Sequence, residues 1–292
     1  MCRHLAYLGP EEPLGRLLTE PPHALYRQSW APRRQRYGTV NVDGFGVGWY
    51  AAGDPVPARY RRAGPIWADL SFADLARVVR TGALLAAVRD ATLPGADGEA
   101  AAAPFAAGTW LFSHNGAVVG WPRSAAALVP ALSPVDLLSL EARTDSAFVW
   151  ALALARLRAG TEAGRALAEV VREVAEAAPG SRLNLLLTDG TTVAATAWGD
   201  TLWYRTEPGG GTVVASEPYD DDPRWQEVPD RTLLTASRTD VLLSPIDSRA
   251  ESQADSGSRT ECRGGSPSDC ASDAGDSPSG NLASTSPKEP CT

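Results

Sequence analysis

Four short stretches of this chain carry residue types that can do chemistry. The first is Met1-Cys2-Arg3-His4. Methionine ahead of a small residue is normally removed, which would leave Cys2 with a thiol and a primary amine on one residue. The thiolate is the nucleophilic form, and a free thiol near neutral pH is only fractionally ionised. An α-amine with a pKa of ~8 can take the thiol proton and return it to a leaving group. That pairing is an N-terminal nucleophile. The alternative is a small apolar residue opening a strand. The other cysteines, Cys262, Cys270 and Cys291, all lie in a polar tail, so Cys2 is the cysteine of the part that can fold. It has no Cys or His at metal-ligand spacing and no disulfide partner in that part. The pattern calls for no metal and no cofactor.

The second stretch, Arg89-Asp90-Ala91-Thr92, follows an apolar run at 82–88 that reads as a buried strand. The third, His114-Asn115-Gly116, follows a strand at 109–113 that delivers it to a turn. A plain hairpin turn is the competing account of Asn-Gly. The fourth, Arg143-Thr144-Asp145, precedes a helix at 146–158, for which Thr144 or Asp145 is a natural N-cap. Ser216-Glu217, ahead of the acidic run at 220–222, lies in a loop between two strands.

These stretches need elements to position them. Residues 5–8 read as a short strand broken by Pro10 and Pro13. Residues 24–30, 72–80, 124–132 and 161–178 read as helices. In Asp43-Gly44-Phe45-Gly46-Val47-Gly48-Trp49, the glycine spacing is not a dinucleotide fingerprint and no helix follows. Alternation of glycine with large apolar residues reads as a strand closely approached by another backbone or a ligand, with 57–62 as its partner. Strands follow at 182–187, 192–198, 202–205, 212–215, 233–236 and 241–243, separated by glycine turns. Strands, then paired helices, then strands predict an α+β domain of two packed sheets with helices outside, spanning 2–246. Residues 247–292 are rich in Ser, Asp, Gly and Pro, with Leu282 their lone large aliphatic residue. Such a segment cannot offset its ordering entropy by burial and is expected to be disordered.

At 292 residues the chain allows one large domain or two small ones, and 43% hydrophobic residues with 9 Trp can fill a core. The net charge of −8 argues against a nucleic-acid or anionic-membrane partner. No apolar run approaches ~20 residues, and a charged start that soon reaches Pro10 is not a secretory leader. A small-molecule substrate and a cytoplasmic location are the expectation; the oligomeric state is not legible.

Cys2, Arg89-Asp90-Ala91-Thr92, His114-Asn115-Gly116 and Thr144-Asp145, in that order, resemble the glutamine amidotransferases with an N-terminal cysteine (type 2) of the Ntn-hydrolase superfamily. The resemblance covers residues 2–246. It implies a four-layer αββα sandwich of two antiparallel sheets flanked by helices, and a glutamyl thioester on Cys2. By the same resemblance the Asn115 side-chain amide and the Gly116 N–H stabilise the oxyanion. Arg89 clamps the substrate α-carboxylate, a surface ion pair with Asp90 being the alternative. Asp145 meets the α-ammonium, caps its helix, or does both. Thr92 stands on the substrate side, and Ser216 and Glu217 line the far side of the pocket. His114 is a strand-end residue beside the substrate rather than a proton carrier.

Members that feed a synthase often carry an acidic residue after Asn-Gly and a His-Pro-Phe segment. Here Ala117 and Ala103-Pro104-Phe105 stand there, and no second catalytic domain is expected from the polar residues after 246. Met-Cys-Arg-His-Leu-Ala-Tyr-Leu-Gly, Asp-Gly-Phe-Gly-Val-Gly-Trp-Tyr, Ala-Ala-Ala-Pro-Phe and Ala-Ser-Glu-Pro-Tyr-Asp resemble one branch of the family. That branch removes the γ-glutamyl group from a sulfoxide-linked conjugate of trimethylated histidine in ergothioneine biosynthesis. A quaternary ammonium favours aromatic faces, and Trp30, Trp49, Trp67 and Trp121 are candidates. The alternatives are a stand-alone glutaminase or amidotransferase subunit that supplies ammonia to a separate partner, and a non-enzymatic scaffold.

Overall fold

The computed structural model describes residues 2–38, 40–91 and 98–246. Thr92 and the polar tail from Asp247 lie outside the described residues.

The strand beginning beside Cys2 is β1 (Arg3–Pro13), longer than its prolines suggested. It slips register between Leu8 and Glu12 and then pairs again through Glu12 and Pro13 with Thr81 and Arg80. An irregularity of this kind tolerates proline because the ladder is already interrupted there. In chain order there follow α1 (Leu14–Leu18), α2 (Leu25–Gln28), β2 (Phe45–Trp49), β3 (Ala58–Arg62), α3 (Leu70–Val78) and β4 (Arg80–Val88). Next come β5 (Phe105–Ala107), β6 (Trp110–Ala117), a 3-10 segment Arg123–Ala131, α4 (Pro134–Leu138), α5 (Asp145–Arg158) and α6 (Ala163–Ala177). The chain closes with β7 (Arg182–Thr188), β8 (Val193–Ala197), β9 (Trp203–Thr206), β10 (Thr212–Ala215), β11 (Gln226–Glu227), β12 (Thr232–Ala236) and β13 (Val241–Pro245). The helix expected at 124–132 is 3-10 throughout, with Pro130 inside it.

One sheet has the order β11-β9-β10-β1-β4-β2-β3 and the other β13-β12-β8-β7-β6-β5. Every pairing is antiparallel. Side chains alternate across a strand, and both faces of these strands are covered. From β1, Leu5 and Tyr7 pack toward α1, α2 and α3, while Ala6 and Leu8 meet Leu111 and Leu186 between the sheets. From β6, Phe112 packs against Phe148 and Leu152 of α5. Helices, sheet, sheet, helices is the αββα sandwich implied by the resemblance.

The glycines of β2 make the close approach expected of them. A Cβ at Gly46 would lie 2.4 Å from the Ala103 carbonyl oxygen, and one at Gly48 would lie 2.7 Å from Leu111. The neighbour is therefore backbone and core.

His114-Asn115-Gly116 is not a turn. All three lie inside β6, opposite Leu185, Asn184 and Leu183. Gly116 is required by proximity rather than by a positive φ: a Cβ there would lie 1.9 Å from the Arg182 carbonyl oxygen.

Candidate active site

The sandwich brings the separated stretches together at one end. Arg3 of β1 is opposite Val88 of β4, so Cys2 and Arg89 sit side by side just beyond the paired strands. β6 brings Gly116 from the other sheet, and α5 begins with Asp145. These four residues line one cavity of about 360 Å³, which Trp121 and Arg182 also line.

Cys2 is partly buried and has no disulfide partner among the described residues. Burial pushes its thiol above the ordinary value, while the Asp90 backbone N–H and the Arg89 charge pull it back down. Burial prevails because the thiolate is the charged form. The balance favours the neutral thiol over the thiolate.

Arg89 is held through its backbone. Its N–H donates to the Gly44 carbonyl at 2.8 Å, and its carbonyl accepts the Asp43 N–H at 2.9 Å. Its Nη1 donates to the Asp43 carbonyl at 3.1 Å, and the Asp43 carboxylate accepts the Ala91 N–H at 2.8 Å. The start of the glycine-rich stretch thus braces the end of β4. Its side chain is anchored to a backbone carbonyl rather than to a carboxylate among the described residues.

The two accounts of Thr144 and Asp145 separate cleanly. Thr144 is the N-cap, its Oγ1 accepting the Ala147 N–H at 3.2 Å. Asp145 is the first helical residue. Its Oδ2 accepts the Val118 N–H at 2.9 Å and its Oδ1 the Ser146 N–H at 2.8 Å. Its carboxylate therefore ties the exit of β6 to the start of α5 and lines the cavity as well.

Asn115 is fully buried. Its Nδ2 donates to Ser216 Oγ at 3.4 Å, and its Oδ1 has no partner. Ser216 Oγ also accepts the His4 backbone N–H at 3.0 Å. Turning the carboxamide half a turn preserves its shape and improves the account of its donors and acceptors. Ser216 then donates its hydroxyl proton to Oδ1, and Nδ2 takes the unpartnered position.

Two expected site residues face elsewhere. His114 lies on the helix side of β6, where Nε2–H donates to the Arg182 carbonyl at 2.9 Å and Nδ1 accepts from Ser146 Oγ at 3.1 Å. It braces β6, β7 and α5 and does not line the cavity. Strand alternation decides this: Asn115 and His114 must leave on opposite faces. Glu217 is buried and accepts the Arg33 and Arg34 backbone N–H groups at 2.9 and 2.7 Å. It pins the loop of the basic cluster instead of lining the pocket. Ser216 does not line the cavity either; it lies beneath Asn115 and His4.

Sequence reasoning passed over Arg143, Arg182 and His4 as site residues. His4 is buried, with Nδ1 3.2 Å from Ser113 Oγ and Nε2 unpartnered. Burial, with help from the Arg3 charge, lowers its pKa to about 3, so it stays neutral. Adjacency to Cys2 and to Asp145 was a usable signal for His4 and Arg143. Nothing local marked Arg182. Of the four candidate tryptophans, Trp121 lines the cavity. Trp30 and Trp67 pack edge to face at 5.4 Å, and Trp49 packs against the core beneath α1–α3. No group of three His, Cys, Asp or Glu able to hold a metal occurs among the described residues, and no helix among them is long and apolar enough to cross a membrane.

A cysteine at the head of an αββα sandwich, facing an Asn-Gly strand end, defines a class that comparison with known proteins bears out. The sequence profile of the class-II glutamine amidotransferases matches residues 23–210, and the chain belongs to that family. It is 42% identical over 246 residues to the γ-glutamyl-hercynylcysteine sulfoxide hydrolase of Mycolicibacterium smegmatis, covering 84% of this chain and 100% of that protein. Among solved structures, a glutamine aminotransferase class-II domain protein from Silicibacter pomeroyi superposes with a TM-score of 0.62 at 26% identity, covering 84% of this chain and all of that one. The glutamine phosphoribosylpyrophosphate amidotransferase of B. subtilis shares the fold at a TM-score of 0.56 and 16% identity, over 85% of this chain and 50% of that one.

Proposed function

We propose that this protein hydrolyses the γ-glutamyl amide bond of γ-glutamyl-hercynylcysteine sulfoxide, releasing glutamate and hercynylcysteine sulfoxide. One observation carries the reading: Cys2, Arg89, Gly116 and Asp145, far apart in sequence, line one cavity. The named relative at 42% identity supplies the substrate.

In this reading Cys2 is the mature first residue and its own amine is the base. The amine takes the thiol proton as sulfur attacks the γ-carbonyl carbon. Asn115 Nδ2 and the Gly116 N–H hold the oxyanion. The C–N bond then breaks, the amine's proton passes to the leaving nitrogen, and a glutamyl thioester remains. Water, deprotonated by the same amine, attacks the thioester; glutamate leaves and the thiol is restored. Arg89 offers a planar fork to the glutamyl α-carboxylate, and Asp145 accepts from its ammonium. Burial of Cys2 explains why a base is needed: the thiolate does not form unaided. Trp121 offers a flat aromatic face to the trimethylated leaving group. A thiol nucleophile suits the reducing cytoplasm.

The test is product analysis with the synthetic conjugate, alongside intact-mass analysis of the enzyme. The chain should lack Met1, should carry a glutamyl adduct when trapped, and should release glutamate and hercynylcysteine sulfoxide. Cys2→Ala should lose turnover by roughly 10⁴-fold or more. Rapid ammonia release from glutamine with no turnover of the conjugate would overturn the substrate assignment and favour the ammonia-supplying reading.

A further inference from the structure

Arg182 is a charged group that the proposed chemistry does not use. It lines the same cavity as Cys2. Its position follows from strand parity. In β7, Leu183, Leu185 and Leu187 pack on the helix side, and Leu186 packs between the sheets. Arg182 therefore leaves β7 on the inter-sheet side. The alternation that carries Ala6 and Leu8 inward carries His4 and Cys2 to that same side. Arg182 is also the cross-strand partner of Ala117, next to Gly116.

Its guanidinium has few obligations within the protein. It stacks on Tyr37 at 4.3 Å from the ring centroid, and Tyr37 is 53% exposed. Its Nε is buried with no hydrogen-bond partner. No ion pair with a carboxylate forms at Arg182 among the described residues. Other arginines show the contrast: Arg156 contacts Glu169 and Glu173, and Arg61 contacts Glu141. A guanidinium left without an anion in a cavity is prepared for one from outside.

We propose that Arg182 forms an anion subsite for the leaving group, holding the carboxylate on the carbon that bears the scissile nitrogen. This deepens the hydrolase reading and rests on it. Arg89 and Asp145 account for the glutamyl head on one side of Cys2. Arg182 lies beside Gly116, where the scissile amide must sit for its oxygen to meet the Gly116 N–H. A leaving amino acid places its carboxylate one carbon from that nitrogen. Ammonia, the leaving group of glutamine, has no such carboxylate. Arg182 thus makes the site selective for γ-glutamyl amino acids over glutamine, with the Tyr37 ring holding the guanidinium plane in place.

The experiment compares kcat/KM for the conjugate and for its analogue whose cysteinyl carboxylate is a carboxamide. Both substrates are run on wild type, Arg182→Gln and Arg182→Lys. The wild type should prefer the acid by roughly tenfold or more, the worth of one charge-assisted pair. Arg182→Gln should bring the ratio to about one. Arg182→Lys should restore part of it, since it keeps the charge and loses the fork. Each ratio is taken within one variant, so partial misfolding cancels. An unchanged ratio in Arg182→Gln, or a wild type indifferent to the carboxylate, would sink the subsite and leave the hydrolase reading standing. A wild type that cleaves no γ-glutamyl amide would remove both.

Discussion

Arg205 in β9 is ringed by acid. Glu207 and Asp220 accept hydrogen bonds from its guanidinium, Asp222 lies 3.5 Å away, and Tyr219 Oη accepts another bond at 2.7 Å. The rings of Tyr219 and Trp225 lie 5.0 Å from it on two sides. Burial alone would lower its pKa, but the Asp220, Tyr219 and Glu207 interactions carry it above the ordinary arginine value. The cavity end of the same sandwich is built the other way. Among the described residues Arg89 has a carbonyl and no acid, Arg182 has a ring and no acid, and one end of the Asn115 amide and His4 Nε2 are buried without partners. The first region spends its polar groups on holding the loop after β10. The second leaves those four groups short of partners among the described residues, at a cost to stability that a ligand can recover.

That contrast can be broken at several points. Short of removing the nucleophile, Asn115→Ala should show the largest effect, lowering kcat by ~10²–10³-fold with little change in KM, as for other lost oxyanion donors. Steady-state kinetics checks it; a change confined to KM would remove Asn115 from the oxyanion hole. Arg205→Gln and Arg89→Gln should then divide in opposite directions. Arg205→Gln should cost about 2 kcal/mol in urea unfolding, because it removes a buried guanidinium's bonds to the half-buried Glu207 and Asp220 carboxylates, while kcat/KM for the folded enzyme stays near wild type. Arg89→Gln should leave the unfolding midpoint in place and lower kcat/KM by ~10²-fold. A large midpoint shift in Arg89→Gln would erase the distinction between the regions.

The effect smallest at neutral pH concerns His4. Its folded pKa, about 3, lies below its unfolded value of 6.5. Between those values the unfolded chain binds a proton that the folded one refuses, so stability falls as pH drops from about 6.5 toward 3. The slope from this residue approaches about 1.4 kcal/mol per pH unit. His4→Gln should flatten it. Unfolding midpoints measured across that window decide the matter, and an unchanged slope would mean that His4 is not the buried neutral group described.

How much of the site was legible depended on whether the signal was local. Cys2 was readable because its amine and thiol share a residue. Thr144 was readable as a cap because a helix-forming run follows it and capping is a contact within one turn. Gly116 was readable as special but for the wrong reason. An Asn-Gly pair suggests a turn, and only the Arg182 carbonyl beside it shows that glycine serves a close strand pairing. Glu217 was misplaced because its partners are N–H groups far away in sequence.

The chain's own order of residues determined the nucleophile, the alternation that makes both sheets apolar, and the arginine and aspartate that follow strand and precede helix. Those are properties of near neighbours, governed by backbone period and side-chain chemistry. Which arginine finds an acid, and which of His114 and Asn115 leaves β6 toward the helices, was decided only by the packed structure. Register sets those outcomes: shifting a strand by one residue exchanges every side chain between its two faces. Register in turn is fixed by the strands and helices that close over it from elsewhere in the chain.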